Sequence, residues 1–97
     1  MRNYEVMTIH RPDLPEPDVQ ARVKEIADLL VARGAEVTDT DFWGKRRFAY
    51  EIDHLNEGYY SVVSFQTDVT IAVEELDRAL GLSDAVVRHK VFRHDEE

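Results

Sequence analysis

The apolar positions of this chain follow two spacings, and the switches between them mark out its elements. Residues 2–10 carry Val6, Met7 and Ile9, apolar on both parities, as an interior strand requires. The segment from Arg11 to Pro17 holds all three prolines and reads as a loop that leads into a helix. From Glu16 to Arg33, Val19, Val23, Ile26, Ala27 and Leu30 recur at spacings of three and four, which makes one apolar helical stripe. Pro17 and the acids Glu16 and Asp18 suit its first turn, and Gly34 suits its end. Residues 35–52 read as a long strand. Ala35, Val37 and Phe42 do not keep one parity there and Gly44 interrupts the run, so a bulge or bend is expected between Asp41 and Gly44. Residues 53–58 read as a turn, and Tyr59 to Gln66 as a strand that forms a hairpin with the preceding one. A second helix is expected from Val69 to Leu80, with Val69, Ala72, Val73, Leu76 and Leu80 inward, Thr67 or Asp68 as its cap and Gly81 closing it. Ala85 to Arg93 gives the last strand.

The order β-α-β-β-α-β in about a hundred residues points to an α+β fold, the ferredoxin-like sandwich: a four-stranded antiparallel sheet with two helices on one face. Right-handed crossovers place the first and third strands in the middle and the second and fourth at the edges. Lys45, Arg46 and Arg47 then lie on one edge strand, and Arg88, Lys90 and Arg93 on the other. The fourth strand runs antiparallel to the first, which brings Arg93 near Arg2. Charged edge strands also guard against edge-to-edge aggregation, so their placement alone does not establish a binding role.

With 97 residues the chain is expected to form one ferredoxin-like domain over residues 1–94, followed by a short acidic tail, residues 95–97. Cys is absent, which removes a disulfide framework and a thiol nucleophile. No apolar run approaches the ~20 residues of a membrane span, and the first residues lack a signal-peptide core, so a soluble, cytoplasmic protein is expected. The net charge of −8 argues against a protein that meets nucleic acid with its whole surface. Asp13, Glu16, Asp18, Glu25, Asp28, Asp68, Glu74, Glu75 and Asp77 fall in loops and predicted helices, and Lys45, Arg46, Arg47, Arg88, Lys90 and Arg93 in predicted strands, consistent with an acidic back and a basic sheet or with an ordinary solvated acidic surface.

Catalytic and metal constellations are missing. The four histidines, His10, His54, His89 and His94, have no metal-ligand spacing; His10 and His54 both flank predicted turns, with no further ligand beside them. There is no phosphate-cradling glycine loop and no nucleophile elbow, so no enzyme activity, cofactor or small-molecule substrate is expected. Glu74 and Glu75 read as a solvated helix face, and Asp39 and Asp41 share a strand face without a nucleophile. The third strand lacks the aromatic motif by which the common RNA-binding version of this fold stacks bases.

One stretch stands out, Phe42 to Ile52. Lys45, Arg46 and Arg47 stand side by side there, with Phe42, Trp43, Phe48 and Tyr50 around them. Arg46, Phe48, Tyr50 and Ile52 fall on one strand face, and Arg47, Ala49 and Glu51 on the other. Cations among aromatics on a strand can meet phosphates and stack on bases. They can equally be a half-buried strand whose arginine stems cover apolar surface.

Gly44-Lys45-Arg46-Arg47-Phe48-Ala49-Tyr50-Glu51-Ile52, followed by Gly58-Tyr59, resembles the bacterial small-subunit ribosomal protein six family. The opening Met1-Arg2-Asn3-Tyr4-Glu5, Gly34, the helix end from Leu76 to Leu80 and the closing Val87-Arg88-His89-Lys90 fit as well, so the resemblance spans the whole chain. It implies the same ferredoxin-like fold and a structural, non-catalytic role in the 30S subunit, in the cytoplasm. It also implies binding to the central domain of small-subunit rRNA together with the small, basic ribosomal protein eighteen. A basic partner would account for the acidity of this chain. The residues expected to meet RNA or partner are Arg2 and Tyr4 in the first strand, Lys45, Arg46, Arg47 and Tyr50 in the second, and Arg88, Lys90 and Arg93 in the last. Arg46 and Arg47 point to opposite faces, and the sequence leaves open which one faces RNA and which pairs with an acid such as Asp39 or Glu51. The alternative reading is a ferredoxin-like regulatory or ligand-binding module that forms a homo-oligomer through its sheet.

Overall fold

A computed structural model describes residues 2–94; the acidic tail expected at residues 95–97 lies outside them. The elements are β1 (Arg2–His10), α1 (Glu16–Ala32), β2 (Glu36–Ile52), β3 (Leu55–Thr67), α2 (Thr70–Leu82) and β4 (Val86–His94). The strands form one antiparallel sheet in the order β2-β3-β1-β4. The expected topology holds, with β1 and β3 central and β2 and β4 at the edges. Arg93 is paired with Tyr4, two positions along from Arg2.

Alternation along β3 decides which face is covered. Tyr59, Ser61, Val63, Phe65 and Thr67 are buried, and the residues between them are only partly so. Their partners on β1 are His10, Thr8, Val6 and Tyr4, so these side chains share the helix-facing layer. Val19, Val23, Ile26 and Leu30 of α1 and Leu76 and Leu80 of α2 close over it. Each fully buried aliphatic or aromatic side chain contributes about 1.5–3 kcal/mol, so this layer is the main source of stability. Polar groups inside it are matched: the hydroxyls of Thr8 and Ser61 are 2.6 Å apart, one donating to the other. Tyr4 stacks on Phe65 with ring centroids 5.4 Å apart.

His10 is the exception. It is 1% exposed, and its Nδ1 has no partner among the described residues. It lines a cavity of about 200 Å³ between the two helices. Burial, reinforced by the charge of Arg22, lowers its pKa from 6.5 to about 4.

Helix ends differ from the sequence expectation in detail. Gly34, at φ +89°, follows α1 as expected. Neither Thr67 nor Asp68 caps α2 through its side chain. Val69 is the N-cap, Thr67 Oγ1 accepts its N–H at 3.0 Å, and its own side chain stays outside the core. Gly81 lies inside the last turn of α2, and Ser83 ends the helix in an extended conformation.

The β2–β3 hairpin departs further. Its turn is only Asp53 and His54, at φ 50° and 65°, flanked by the pair Ile52 and Leu55. Two left-handed residues in sequence match the twist of a two-residue hairpin. Gly58 therefore belongs to β3 rather than to the turn. A Cβ at that position would lie 2.7 Å from Ile9 Cγ2, 2.9 Å from the His10 carbonyl oxygen and 3.0 Å from Phe48 Cζ. Glycine is needed there for close approach, with no positive φ involved.

Gly58→Ala is expected to lower stability by about 1–3 kcal/mol, because the His10 backbone cannot step aside. A lower urea midpoint at unchanged m-value would show it, and an unchanged midpoint would refute the close-approach account. Acidification tests His10. Because its folded pKa lies below the unfolded value, the unfolded chain binds more protons between pH about 6.5 and 4, and stability falls across that window. His10→Phe should flatten that part of the stability–pH curve; a curve identical to the parent would show that His10 does not shape it.

Candidate interface on the open face of the sheet

Helices cover one face of the sheet, and the other is free among the described residues. On β1, Asn3, Glu5, Met7 and Ile9 point to it; on β3, Tyr60, Val62, Ser64 and Gln66; on β4, Arg88, Lys90, Phe92 and His94. The β2 contribution is set by bulges. Register shifts fall between Val37 and Asp39 and between Phe42 and Gly44. Phe42 pairs with Ser61 on the helix side and stacks on Tyr59, centroids 6.1 Å apart. Gly44, at φ +86°, then pairs with Tyr60 and inserts one extra residue into β2.

That extra residue resets the alternation. Without it, Arg46 would share the face of Phe42 and turn toward the helices. With it, Trp43 and Arg46 stand on the same open face. Trp43 stacks on Tyr60 at 6.0 Å with only 6° between the ring planes. Phe48 meets the same Tyr60 ring edge-on at 6.0 Å. The Trp43 indole N–H donates to Asp41 Oδ2 at 3.0 Å. Asp41, Phe42, Trp43, Arg46 and Tyr60 border an open hollow of about 600 Å³. Ile9, on this same face, is almost fully buried, close under Gly58.

The nine residues named from the sequence divide between the faces. Arg46, Arg88 and Lys90 have open-face parity, and Tyr50 lies in the stretch between Arg47 and Ile52 where the register shifts again. Tyr50 is 80% exposed. Arg2, Tyr4, Lys45, Arg47 and Arg93 have the opposite parity. Much of the Tyr4 ring is occupied by its stack on Phe65. Lys45 Nζ lies 5.1 Å over the Tyr59 ring, and Lys90 Nζ 5.2 Å over Phe92. Arg46, Arg47 and Arg88 have no ion pair among the described residues, so neither Asp39 nor Glu51 takes up an arginine; Glu51 lies 3.5 Å from His54 Nδ1 instead.

Acids share the open face. Asp39 and Asp41 lie on it, opposite Ser64 and Val62, and so does Glu5, which bonds His94. The basic sheet expected from the charge distribution is therefore a mixed one. On the helical side, Glu74 is exposed and the partly exposed Glu75 accepts a hydrogen bond from Arg33 across the two helices. His10 and His54 do not form a site: one is buried and the other 98% exposed. No group of metal-ligating side chains occurs among the described residues.

Two members of the hollow escaped the sequence reading. Asp41 was readable, because it sits two residues before Trp43 and such residues share a strand face. Tyr60 was not, because its place opposite Gly44 depends on the register across the hairpin.

Comparison with known proteins adds the following. A family model described as Ribosomal protein S6 matches residues 3–93. A small ribosomal subunit protein bS6 of Carboxydothermus hydrogenoformans is 47% identical over 99% of both chains. The bS6 protein of Desulforamulus reducens is 44% identical over 99% of this chain and 100% of its own. The crystal structure of 30S ribosomal protein S6 from Thermotoga maritima superposes with a TM-score of 0.91 at 31% identity, covering 96% of this chain and 87% of that one. The C-terminal domain of the MgtC protein from Mycobacterium tuberculosis, at 12% identity and a TM-score of 0.65, shares the fold alone.

Proposed function

Because this chain belongs to the ribosomal protein S6 family, a structural component of the small ribosomal subunit and not an enzyme, we propose that it binds the central domain of small-subunit rRNA jointly with the small basic ribosomal protein eighteen. The single observation that carries this reading is the family match over nearly the whole chain. The electrostatics support it. A net charge of −8 disfavours contact with RNA through the whole surface, and a basic partner would both neutralise it and add phosphate affinity. The unpaired cations Arg46, Arg47 and Arg88 then act locally. Arg46 and Arg88 face outward from the open sheet, while Arg47 projects from the opposite side of β2. Of the two neighbouring arginines, Arg46 is the one set among open-face aromatics, and we assign the RNA contact to it. Arg2, Tyr4, Lys45, Tyr50, Lys90 and Arg93 complete the proposed contact set.

Equilibrium binding to a central-domain rRNA fragment, with and without the basic partner and at two salt concentrations, tests this. Binding should emerge or strengthen with the partner and weaken as salt rises. Arg46→Glu should weaken the joint complex about tenfold or more and reduce the salt slope by about one, with an unchanged melting temperature. No binding in either condition would refute the proposal, and a stable homodimer indifferent to RNA would replace it with the ligand-binding module.

A further inference from the structure

We propose that the hollow bordered by Asp41, Trp43, Arg46 and Tyr60 receives one unpaired nucleotide whose base carries an exocyclic amino group. The proposal rests on the RNA-binding reading above and specifies what one part of that surface takes.

Three features of a nucleotide each find a counterpart here. The first is a flat ring. Trp43 lies with one face on Tyr60 and remains 43% exposed, which leaves surface for a stacked base. Its orientation is already fixed by the bond to Asp41, and Tyr60 is fixed by the edge of Phe48, so stacking orders little that is not ordered in advance. The second is an amino donor. Asp41 Oδ2 is occupied by the indole N–H, and Oδ1 has no partner among the described residues. An ionised carboxylate only accepts hydrogen bonds, so it meets the amino group of adenine, cytosine or guanine and turns away a bare carbonyl. The third is phosphate. Arg46 borders the same hollow and has no ion pair among the described residues. An arginine from a protein partner would also find an aromatic face and a carboxylate, but its charge would confront Arg46. A nucleotide uses both charges.

Trp43 is the one tryptophan of the chain, so its fluorescence reports directly on the hollow. The full-length protein is titrated with single-stranded hexamers of adenosine, cytidine and purine riboside. Adenosine and cytidine hexamers should quench Trp43. Purine riboside has the same purine ring with neither an amino group nor a ring N–H donor, and should bind about tenfold more weakly than adenosine. That difference should vanish in Asp41→Ala. By anisotropy of a labelled adenosine hexamer, Trp43→Leu should lose tenfold or more in affinity, with an unchanged circular dichroism spectrum. Absence of quenching, equal affinity for adenosine and purine riboside, or quenching by an arginine-rich peptide in place of RNA would each overturn the proposal. Wild-type protein and Trp43→Leu that bind the rRNA fragment equally well would also overturn it, and would leave the rRNA reading standing. Failure of the wild type on that fragment removes the rRNA reading, and the hexamers still decide the hollow.

Discussion

The period-two alternation of β3, with one set of side chains sealed beneath two helices, governs everything on the other face. Val63 and Phe65 cannot leave the core without opening it, so Tyr60, Val62 and Ser64 have no choice but to face outward. Pairing then transmits that decision to both neighbours. A strand that must diverge from it needs an extra residue, and β2 takes one at Gly44. The bulge does more than bend an edge strand. It moves Trp43, Arg46 and Phe48 onto one surface, with Tyr60 as the ring that two of them share. The aromatic and cationic character of the open face is thus a consequence of one glycine with a positive φ and a core that holds the adjacent strand fixed.

Much of this was legible in the chain itself. The alternating and helical spacings give the element order and the topology, and the broken parity of Val37 and Phe42 beside Gly44 gives the bulge. The hairpin register was not legible, and the reason is physical. Two-residue turns usually announce themselves with glycine or asparagine, which tolerate left-handed backbone. Here Asp53 and His54 adopt it. The nearest glycine, Gly58, draws attention as a turn residue while serving a crowded position inside the strand, against Ile9 and the His10 carbonyl. A local rule cannot separate a glycine needed for φ from one needed for space. The placement of Tyr60 against Gly44, and with it the hollow, follows only once that register is known.

Charge is distributed more evenly than the sequence suggests. Bases do concentrate in strands, but each strand has two faces and neighbouring residues part company. Lys45 settles over Tyr59 on the helix side while Arg46 faces outward. Asp39 and Asp41 accompany the outward cations. A surface with both signs and exposed rings discriminates by geometry more than by attraction, since long-range fields of opposite sign cancel within about a Debye length. That fits the proposed joint binding with a basic partner, in which this chain would contribute orientation.

The strand order also bears on how the molecule comes into being. β1 lies between β3 and β4, and neither is its neighbour in the chain. The β2–β3 hairpin is local and can close as soon as it is synthesised. β1, the first strand made, gains one flank only after residues 59–67 exist and the other only after residues 86–94 do. A nascent chain therefore carries its most central segment unpaired for most of its synthesis. During that interval Val6 and Ile9 are exposed to chaperones and to other nascent chains, and closure comes late, with the last strand.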